Sequence, residues 1–204
     1  MLDSKMSFGG TLSAVVMKPK SNLKWKIQNT LRPSFMLGWF YRQLATGFSK
    51  LTGIPTLVSD LSIKVRRANG DWEDYGVVSY RVVTDAGVAF IVDDWTDSTT
   101  DITNLKYHGA GTGTNAESAS DTALQTESTT ALNPDSTRAT GTMTQPSANI
   151  QRSVGTLTFD ATAAITEHGI FSQAATGGGT LWDRSVFSAI NVVSGDSIFS
   201  GALV

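Results

Sequence analysis

Short apolar runs separated by turn-forming residues dominate this sequence from Leu61 onward. The first two, residues 61–66 and 72–82, flank the pair Asn69-Gly70, and alternating runs around Asn-Gly are typical of a β-hairpin spanning residues 61–83. Later runs end at Asp160, at three successive glycines and at a Ser-Gly-Asp turn, at the spacing of about ten residues seen in all-β domains; they cover residues 147–159, 163–172, 180–187 and 189–198. The sequence therefore predicts a mainly β fold, a β-sandwich or a jelly roll.

The segment between the hairpin and the later runs predicts one short helix followed mostly by loops. Apolar residues from Val88 to Trp95 recur at helical spacing after Thr84-Asp85, which suits a helix start, so residues 85–95 are assigned to a helix. Residues 102–107 predict a strand. Nineteen of the 49 residues from Thr96 to Thr144 are serine or threonine, which favours long loops over residues 108–148. These elements together form a predicted β domain of residues 56–204.

Residues 1–55 are predicted to form an extended, basic N-terminal arm that anchors the β domain to a partner protein. Residues 23–27 alternate apolar and basic side chains, the period of a half-buried strand or of a strand added to a neighbouring sheet. Residues 34–51 predict a short helix, because apolar side chains recur three and four residues apart after Pro33. The helix carries so many aromatic residues that an interface with another protein is favoured over a small core.

The net charge of −2 conceals a strong asymmetry along the chain. Residues 1–59 contain eight basic residues and one acidic residue, whereas residues 60–204 contain eight basic and 17 acidic residues. Opposite charges at the two ends favour contact between the arm of one copy and the body of another, or folding of the arm onto its own body. Lysines beside tryptophan also permit incidental contact with DNA. The predicted partner-binding residues are Lys18, Lys20, Lys24, Trp25, Lys26, Arg32, Phe35, Trp39, Phe40, Tyr41 and Arg42.

The sequence offers few residues for catalysis or metal binding. It contains no cysteine, which excludes disulfides, thiolate metal sites and a cysteine nucleophile. The glycine-rich residues 109–114 lack the lysine of a phosphate-binding loop and are assigned to a turn. The acidic residues Asp93, Asp94, Asp97 and Asp101 lack the spacing of a calcium loop and indicate a solvated face or a docking patch.

The two histidines, His108 and His168, are expected to bond to backbone in turns or at a subunit contact. A metal site with Glu167 or Asp101 has weak support, because two histidines without recognisable spacing are weak evidence. Ser172 lies about 13 Å along a strand from His168, too far to be its nucleophile. No catalytic residue, cofactor or metal is therefore assigned.

Three phrases of the sequence are specific enough to compare with known families: residues 107–117 (YHGAGTGTNAE), 165–172 (ITEHGIFS) and 181–190 (LWDRSVFSAI). They resemble a family of tailed-bacteriophage virion proteins that are encoded near the major capsid protein, and the similarity extends from about Gly87 to Ile198. The resemblance implies a virion structural protein. It supplies no catalytic residue and does not extend to the first eighty residues.

The expected function is that of a non-enzymatic virion structural protein, first of all a decoration or cement protein of the capsid. Its expected partners are the major capsid protein and other copies of itself, and it would be assembled in the host cytoplasm. No apolar run approaches the roughly 20 residues that span a membrane, so no membrane partner is expected. The alternatives are a tail, connector or fibre-base component and, with less support, a virion-borne hydrolase.

Overall fold

The computed structural model describes residues 20–54, 56–96 and 99–203, and it confirms the mainly β fold with short helices. The three helices are α1 (Leu23–Thr30), α2 (Pro33–Thr52) and α3 (Asp85–Thr96), and a 3₁₀ turn covers Ile102–Asn104. The ten strands are β1 (Lys20–Ser21), β2 (Ser59–Arg66), β3 (Trp72–Val83), β4 (Tyr107–Gly111), β5 (Ala139–Thr140), β6 (Thr142–Ser147), β7 (Ile150–Thr158), β8 (Ala163–Phe171), β9 (Leu181–Val192) and β10 (Ser197–Leu203). No helix of the described residues is long and apolar enough to span a bilayer.

Nine strands form one nearly closed antiparallel sheet. Their order is β5-β4-β8-β9-β3-β2-β10-β7-β6. Since Gly141 alone separates β5 from β6 in the chain, the two ends of this order are covalently joined, and the sheet curls around an interior. The tenth strand, β1, adds to β3 in parallel, with Lys20 opposite Glu73.

The predicted hairpin is confirmed. β2 pairs antiparallel with β3 from Ser59 opposite Arg81 to Arg66 opposite Trp72, with two register shifts. Gly70, in the turn, has a φ of 87°, which glycine adopts without the steric cost other residues meet. The alternation of β2 places Leu61, Ile63 and Val65 in the core, where they are at most 1% exposed. Burial of these side chains ties the hairpin to the rest of the sheet.

Several predicted boundaries are wrong. Residues 102–106 form the 3₁₀ turn and its exit, and the strand begins only at Tyr107 and continues to Gly111, so the first half of the turn predicted for residues 109–114 is strand. The loops predicted for residues 108–148 likewise contain β4, β5 and β6. The predicted break near Ser188 does not occur, because β9 continues to Val192 and the turn follows it. The predicted helix of residues 85–95 is confirmed as α3.

The predicted strand of residues 23–27 is also wrong, because these residues belong to α1. Trp25 and Asn29 are one helical turn apart and both contact the β domain, whereas the alternating residues Leu23 and Ile27 are more than half exposed. Tertiary contacts at helical spacing thus override the local alternation. The predicted helix of residues 34–51 is confirmed as α2, which begins at Pro33 and ends before Gly53, whose φ of 72° terminates it.

Candidate functional site

The predicted partner-binding residues fall into two groups. Lys18 lies outside the described residues. One group contacts the chain's own β domain and comprises Lys20, Trp25, Phe35 and Arg42. Arg32 is half-buried and interacts electrostatically with Glu117. Lys24, Trp39, Phe40 and Tyr41 are exposed, and Lys26 is half-buried. The structure thus brings the basic and aromatic residues together on one side of the sheet and leaves part of them open to solvent.

Helix α1 fills a gap between two strands of the sheet. β3 and β9 pair only at Val82 and Val83, and beyond that point they separate. Asn29 bridges them: its amide nitrogen donates to the Val78 carbonyl at 2.7 Å, and its amide oxygen accepts from the Ser188 N–H at 2.8 Å. A buried amide that replaces a missing strand partner satisfies both backbone groups. No sequence pattern identified Asn29 as a contact residue.

Trp25 holds the other end of α1. Its indole N–H points at the carbonyls of Ser188 and Ala189, at 3.2 and 2.9 Å, and its ring meets Tyr75 edge to face with 4.8 Å between centroids. Lys20 pairs with Asp71 at 2.6 Å on the surface. Residues 20–54 of the predicted arm are therefore largely helical and not extended, because α1 and α2 pack on the β domain through specific contacts. Folding back onto its own body is one of the two arrangements that the charge asymmetry left open.

Helix α2 contacts the β domain through one side, which we call the inner stripe: Phe35, Gly38, Arg42, Thr46 and Ser49. Phe35 and Gly38 lie against Tyr80. Arg42 pairs with Asp60 and lies 5.6 Å from the centre of the Tyr80 ring. Thr46 and Ser49 line a cavity under the C-terminal half of the helix.

The opposite side of α2 faces solvent with large apolar side chains. We call it the outer stripe: Leu37, Phe40, Leu44, Phe48 and Leu51, which are 51% to 87% exposed. None of the 20 residues of α2, all of which the structure describes, is buried. Monomers rarely expose a continuous apolar patch of this size, and such patches mark interaction sites. Apart from Phe35, the residues of α2 that face the domain are small or polar, and the large apolar residues of the outer stripe face outward.

The two histidines meet in the interior of the sheet, and the expectation that they lie in turns or at a subunit contact is wrong. His108 is 0% exposed in β4 and His168 is 1% exposed in β8. His108 Nδ1 lies 3.1 Å from His168 Nε2, and His108 Nε2 lies 2.8 Å from Ser153 Oγ of β7. His108 also contacts Ser200 Oγ at 2.8 Å. Hydrophobic periodicity along the strands could not identify this cluster, because its members are polar.

Arg81 sets the direction of the hydrogen bonds in this cluster. Its guanidinium can only donate, so His168 Nδ1, 3.2 Å away, accepts. A neutral His168 then carries its proton on Nε2 and donates to His108 Nδ1. His108 in turn carries its proton on Nε2 and donates to Ser153. His108 therefore donates a hydrogen bond to Ser153 and does not accept one from it. Activation of a serine nucleophile requires the opposite, a base that accepts the proton of the serine hydroxyl.

Burial and the Arg81 cation keep both imidazoles neutral. They lower the pKa of His108 to about 3, and they lower the pKa of His168 well below its ordinary 6.5, with a smaller effect from His108. Arg81 pairs with Asp183, and both side chains are fully buried. Burial raises the pKa of Asp183 to about 6, against the opposing effect of Arg81. Desolvation dominates these shifts, as it does for ionisable groups without access to water.

Glu167 fastens the Thr/Ser/Gly-rich loops over one end of the interior. Its carboxylate accepts the backbone N–H groups of Gly113, Gln125 and Thr126 at 2.7 to 3.0 Å, and it accepts two bonds from Arg184 at 2.8 and 3.0 Å. Gly113 is required here, because a Cβ at this position would lie 2.5 Å from the carboxylate. The loops are therefore tied to the sheet by charge-assisted bonds.

Arg138 has a similar role at the next loop. Its guanidinium makes a bidentate contact with Glu127 at 2.6 and 3.0 Å and donates to the carbonyls of Gln173 and Gly178. Its Cζ also lies 3.4 Å from the centre of the Phe171 ring. The segments 107–117, 165–172 and 181–190 supply His108, Glu167, His168, Asp183 and Arg184 to the polar interior.

A cavity of about 970 Å³ lies between the C-terminal half of α2, α3 and the β6–β7 hairpin. Ile170 and Trp182 contribute to its apolar part, Arg42 and Lys50 to its basic rim, and Ser153 to its wall. No group of three or more histidine or acidic side chains that could hold a metal ion occurs among the described residues. In the predicted acidic run, Asp94 and Asp101 accept backbone N–H groups at the 3₁₀ turn, and Asp97 lies outside the described residues.

Comparisons of the chain with protein-family models, curated proteins and solved structures found no match. Two regions of the molecule bear on its function: a polar interior whose hydrogen bonds run from Arg81 toward Ser153, and an apolar outer stripe that faces solvent.

Proposed function

We propose that this protein is a non-enzymatic structural subunit of a tailed-phage virion, a decoration protein that binds the assembled capsid shell. The observation that carries the proposal is the open side of residues 20–54, where the outer stripe of α2 offers a surface suited to contact between protein subunits and the exposed basic residues Lys24 and Lys50 remain available for a shell. The resemblance of three sequence phrases to phage virion proteins supplies the setting.

The polar interior supports a structural role over a catalytic one. Its ionisable groups are paired with one another and shielded from solvent. His108 donates a hydrogen bond to Ser153, so it does not act as the base that a serine nucleophile would need. A network with these properties orients strands and loops. Hydrolysis would need an exposed nucleophile beside a base that can accept its proton.

Residues 20–54 supply the charge for attachment to the shell. They contain six basic residues and no acidic residue, and Lys24 and Lys50 are exposed. A shell surface of opposite charge would attract this side of the protein over the Debye length of about 8 Å at physiological ionic strength. Packaged DNA would be attracted by the same charges without base recognition, which makes DNA an incidental partner.

The test compares virions that carry the chain with virions from which its gene has been deleted. A decoration protein binds the assembled shell and not its separated subunits, so it stabilises the shell by mass action. We expect deleted particles to assemble, to release DNA at a lower temperature, and to recover when purified protein is added back. The double variant Lys24→Glu/Lys50→Glu should restore less. Lys64→Glu/Arg66→Glu, which makes the same charge change at two exposed residues of β2, is the matched control.

Copy number separates the alternatives in the same particles. Quantitative mass spectrometry should find the chain at a copy number comparable to that of the major capsid protein. Six or twelve copies, with normal DNA release and failed tail attachment in the deletion, would instead assign it to the connector or tail. Absence of the chain from purified virions would overturn the proposal.

A further inference from the structure

The outer stripe of α2 is symmetric in sequence about Leu44. Phenylalanine stands four residues before and four residues after Leu44, and leucine stands seven residues before and after it. The order along the stripe is therefore Leu37, Phe40, Leu44, Phe48, Leu51. All five side chains lie on one side of the helix, because spacings of three and four residues bring side chains to the same face.

Such a stripe is complementary to itself in an antiparallel pair of helices. A two-fold axis through Leu44 places every residue opposite the one at the same distance on the other side of Leu44. Leu37 then meets Leu51 of the second copy, Phe40 meets Phe48, and the two Leu44 side chains meet on the axis. Tyr41, 64% exposed, falls opposite Gly47, where the space for a side chain is open.

Charges do not oppose this pairing. α2 contains two charged residues, of which Arg42 is paired with Asp60 on the inner stripe. Lys50 lines the cavity, also away from the outer stripe. An interface whose centre lacks charged residues is typical of association between copies of one chain.

The area also fits. If each of the five stripe residues and Tyr41 buries on the order of 100 Å² of exposed surface, these side chains together bury about 600 Å² per copy. The neighbouring Met36 and Ile54 bring the buried surface close to the roughly 800 Å² per partner of a standard interface. Both neighbours are more than half exposed.

We propose that two copies of this chain associate through α2, antiparallel and two-fold symmetric about Leu44. The inference shares with the proposed function the view that α2 is an assembly surface, but it requires neither a virion nor a capsid protein. The partner on the outer stripe is the second copy, and attachment to a shell is left to the basic residues outside the stripe.

The first experiment is sedimentation equilibrium on the purified full chain. Wild-type protein should form a dimer whose dissociation constant changes little between 0.1 and 1 M salt, because the contact is apolar. Leu44→Glu and Leu44→Lys should each weaken dimerisation at least tenfold, since two like charges would meet on the axis. An equimolar mixture of the two variants should form a heterodimer, because opposite charges then meet. Val193→Glu, at an exposed apolar residue outside α2, is the matched control and should leave the dimer intact.

The second experiment uses the absence of cysteine from the chain. Leu44→Cys should form a disulfide-linked dimer on mild oxidation, because its two copies lie on the axis. Leu37→Cys and Leu51→Cys should cross-link to each other in a mixture far faster than either cross-links to itself. This difference specifies the antiparallel register.

A monomeric wild-type chain at 100 μM, or a dimer that survives both Leu44→Glu and Leu44→Lys, would overturn the inference. Failure of the mixed variants to associate would also exclude a two-fold axis at Leu44. Either outcome would leave the proposed function intact, since DNA release from virions is measured separately. Conversely, a dimer in a protein that is absent from virions would retain this inference and remove the proposed function.

Discussion

One polar part of the closed sheet's interior and the outer stripe of α2 reverse the usual distribution of side chains. Beside the apolar core, the interior contains Arg81, Asp183, Glu167 and Arg184 at 0% to 6% exposure, whereas the outer stripe exposes leucine and phenylalanine. The difference shows that burial follows from available partners as well as from hydrophobicity. Each of these interior charges has an opposite charge in contact, whereas no apolar surface within residues 20–54, 56–96 and 99–203 covers the outer stripe.

The largest expected effect comes from removing one partner of an interior ion pair. Glu167→Ala would leave Arg184 buried without its main counter-charge and three loop N–H groups without an acceptor. We expect the free energy of unfolding to fall by about 3–5 kcal/mol, the usual cost of breaking a buried pair. Urea denaturation measures this change.

Asp160→Ala is the matched control for that substitution, because this acidic residue is exposed. It should change the free energy of unfolding by less than about 0.5 kcal/mol. Similar values for the two variants would mean that Glu167 does not anchor the loops, and the contrast between the two regions would lose its main support.

Acidification should destabilise the protein through the histidines. The folded-state pKa values of His108 and His168 lie below the unfolded value of 6.5, so the unfolded state binds more protons as the pH falls below 6.5, and stability is lost there. Asp183, with its folded-state pKa raised to about 6, acts in the opposite direction between pH 6 and 3.8. Each proton that the unfolded state binds in excess lowers the free energy of unfolding by about 1.4 kcal/mol per pH unit. Because the two histidines outweigh the one aspartate, we expect the free energy of unfolding to fall by roughly 2–3 kcal/mol from pH 7 to pH 5.

Urea denaturation at pH 7, 6 and 5 measures that dependence. His108→Gln/His168→Gln removes both titrating rings, so its unfolding free energy should not fall over this range. If the double variant and the wild type lose stability in parallel below pH 6.5, the histidines are not the cause.

The smallest effect on folding is expected from the outer stripe. Leu44→Gln should change the free energy of unfolding of the monomer by less than about 0.5 kcal/mol, because this side chain contributes little to the domain core. The measurement requires protein concentrations below the dissociation constant of the dimer, since association adds to apparent stability. Ile63→Ala, which empties a core position, should cost about 2–5 kcal/mol in the same assay. A comparable loss for Leu44→Gln would mean that the stripe packs against its own domain.

The elements of the fold could be predicted where one face of a segment is apolar. The hairpin around Asn69-Gly70, α3, β8 and most of β7 follow from period and turn residues alone. The strand expected at residues 23–27 failed because Trp25 and Asn29 are fixed by partners in β3 and β9, more than 45 residues away in the chain. Local alternation carries no information about such partners.

The candidate sites divide in the same way. Composition and spacing alone predict an interaction surface on residues 34–51, but the separation of its side chains into an inner and an outer stripe required the contacts with Tyr80 and Asp60. The histidine cluster could not be predicted. His108 and His168 are 60 residues apart, and Ser153 and Arg81 come from two further strands.

The sequence by itself determined the mainly β fold, the absence of cysteine chemistry and the symmetric order of side chains about Leu44, because each depends on residue type and spacing along the chain. The tertiary structure alone decided which polar residues enter the interior, in which direction their hydrogen bonds run and which side of α2 faces solvent. The physical reason is that the cost of burying a charge or exposing a phenylalanine depends on the groups that the fold brings beside it. Those groups come from strands that are distant in the chain and adjacent in the sheet.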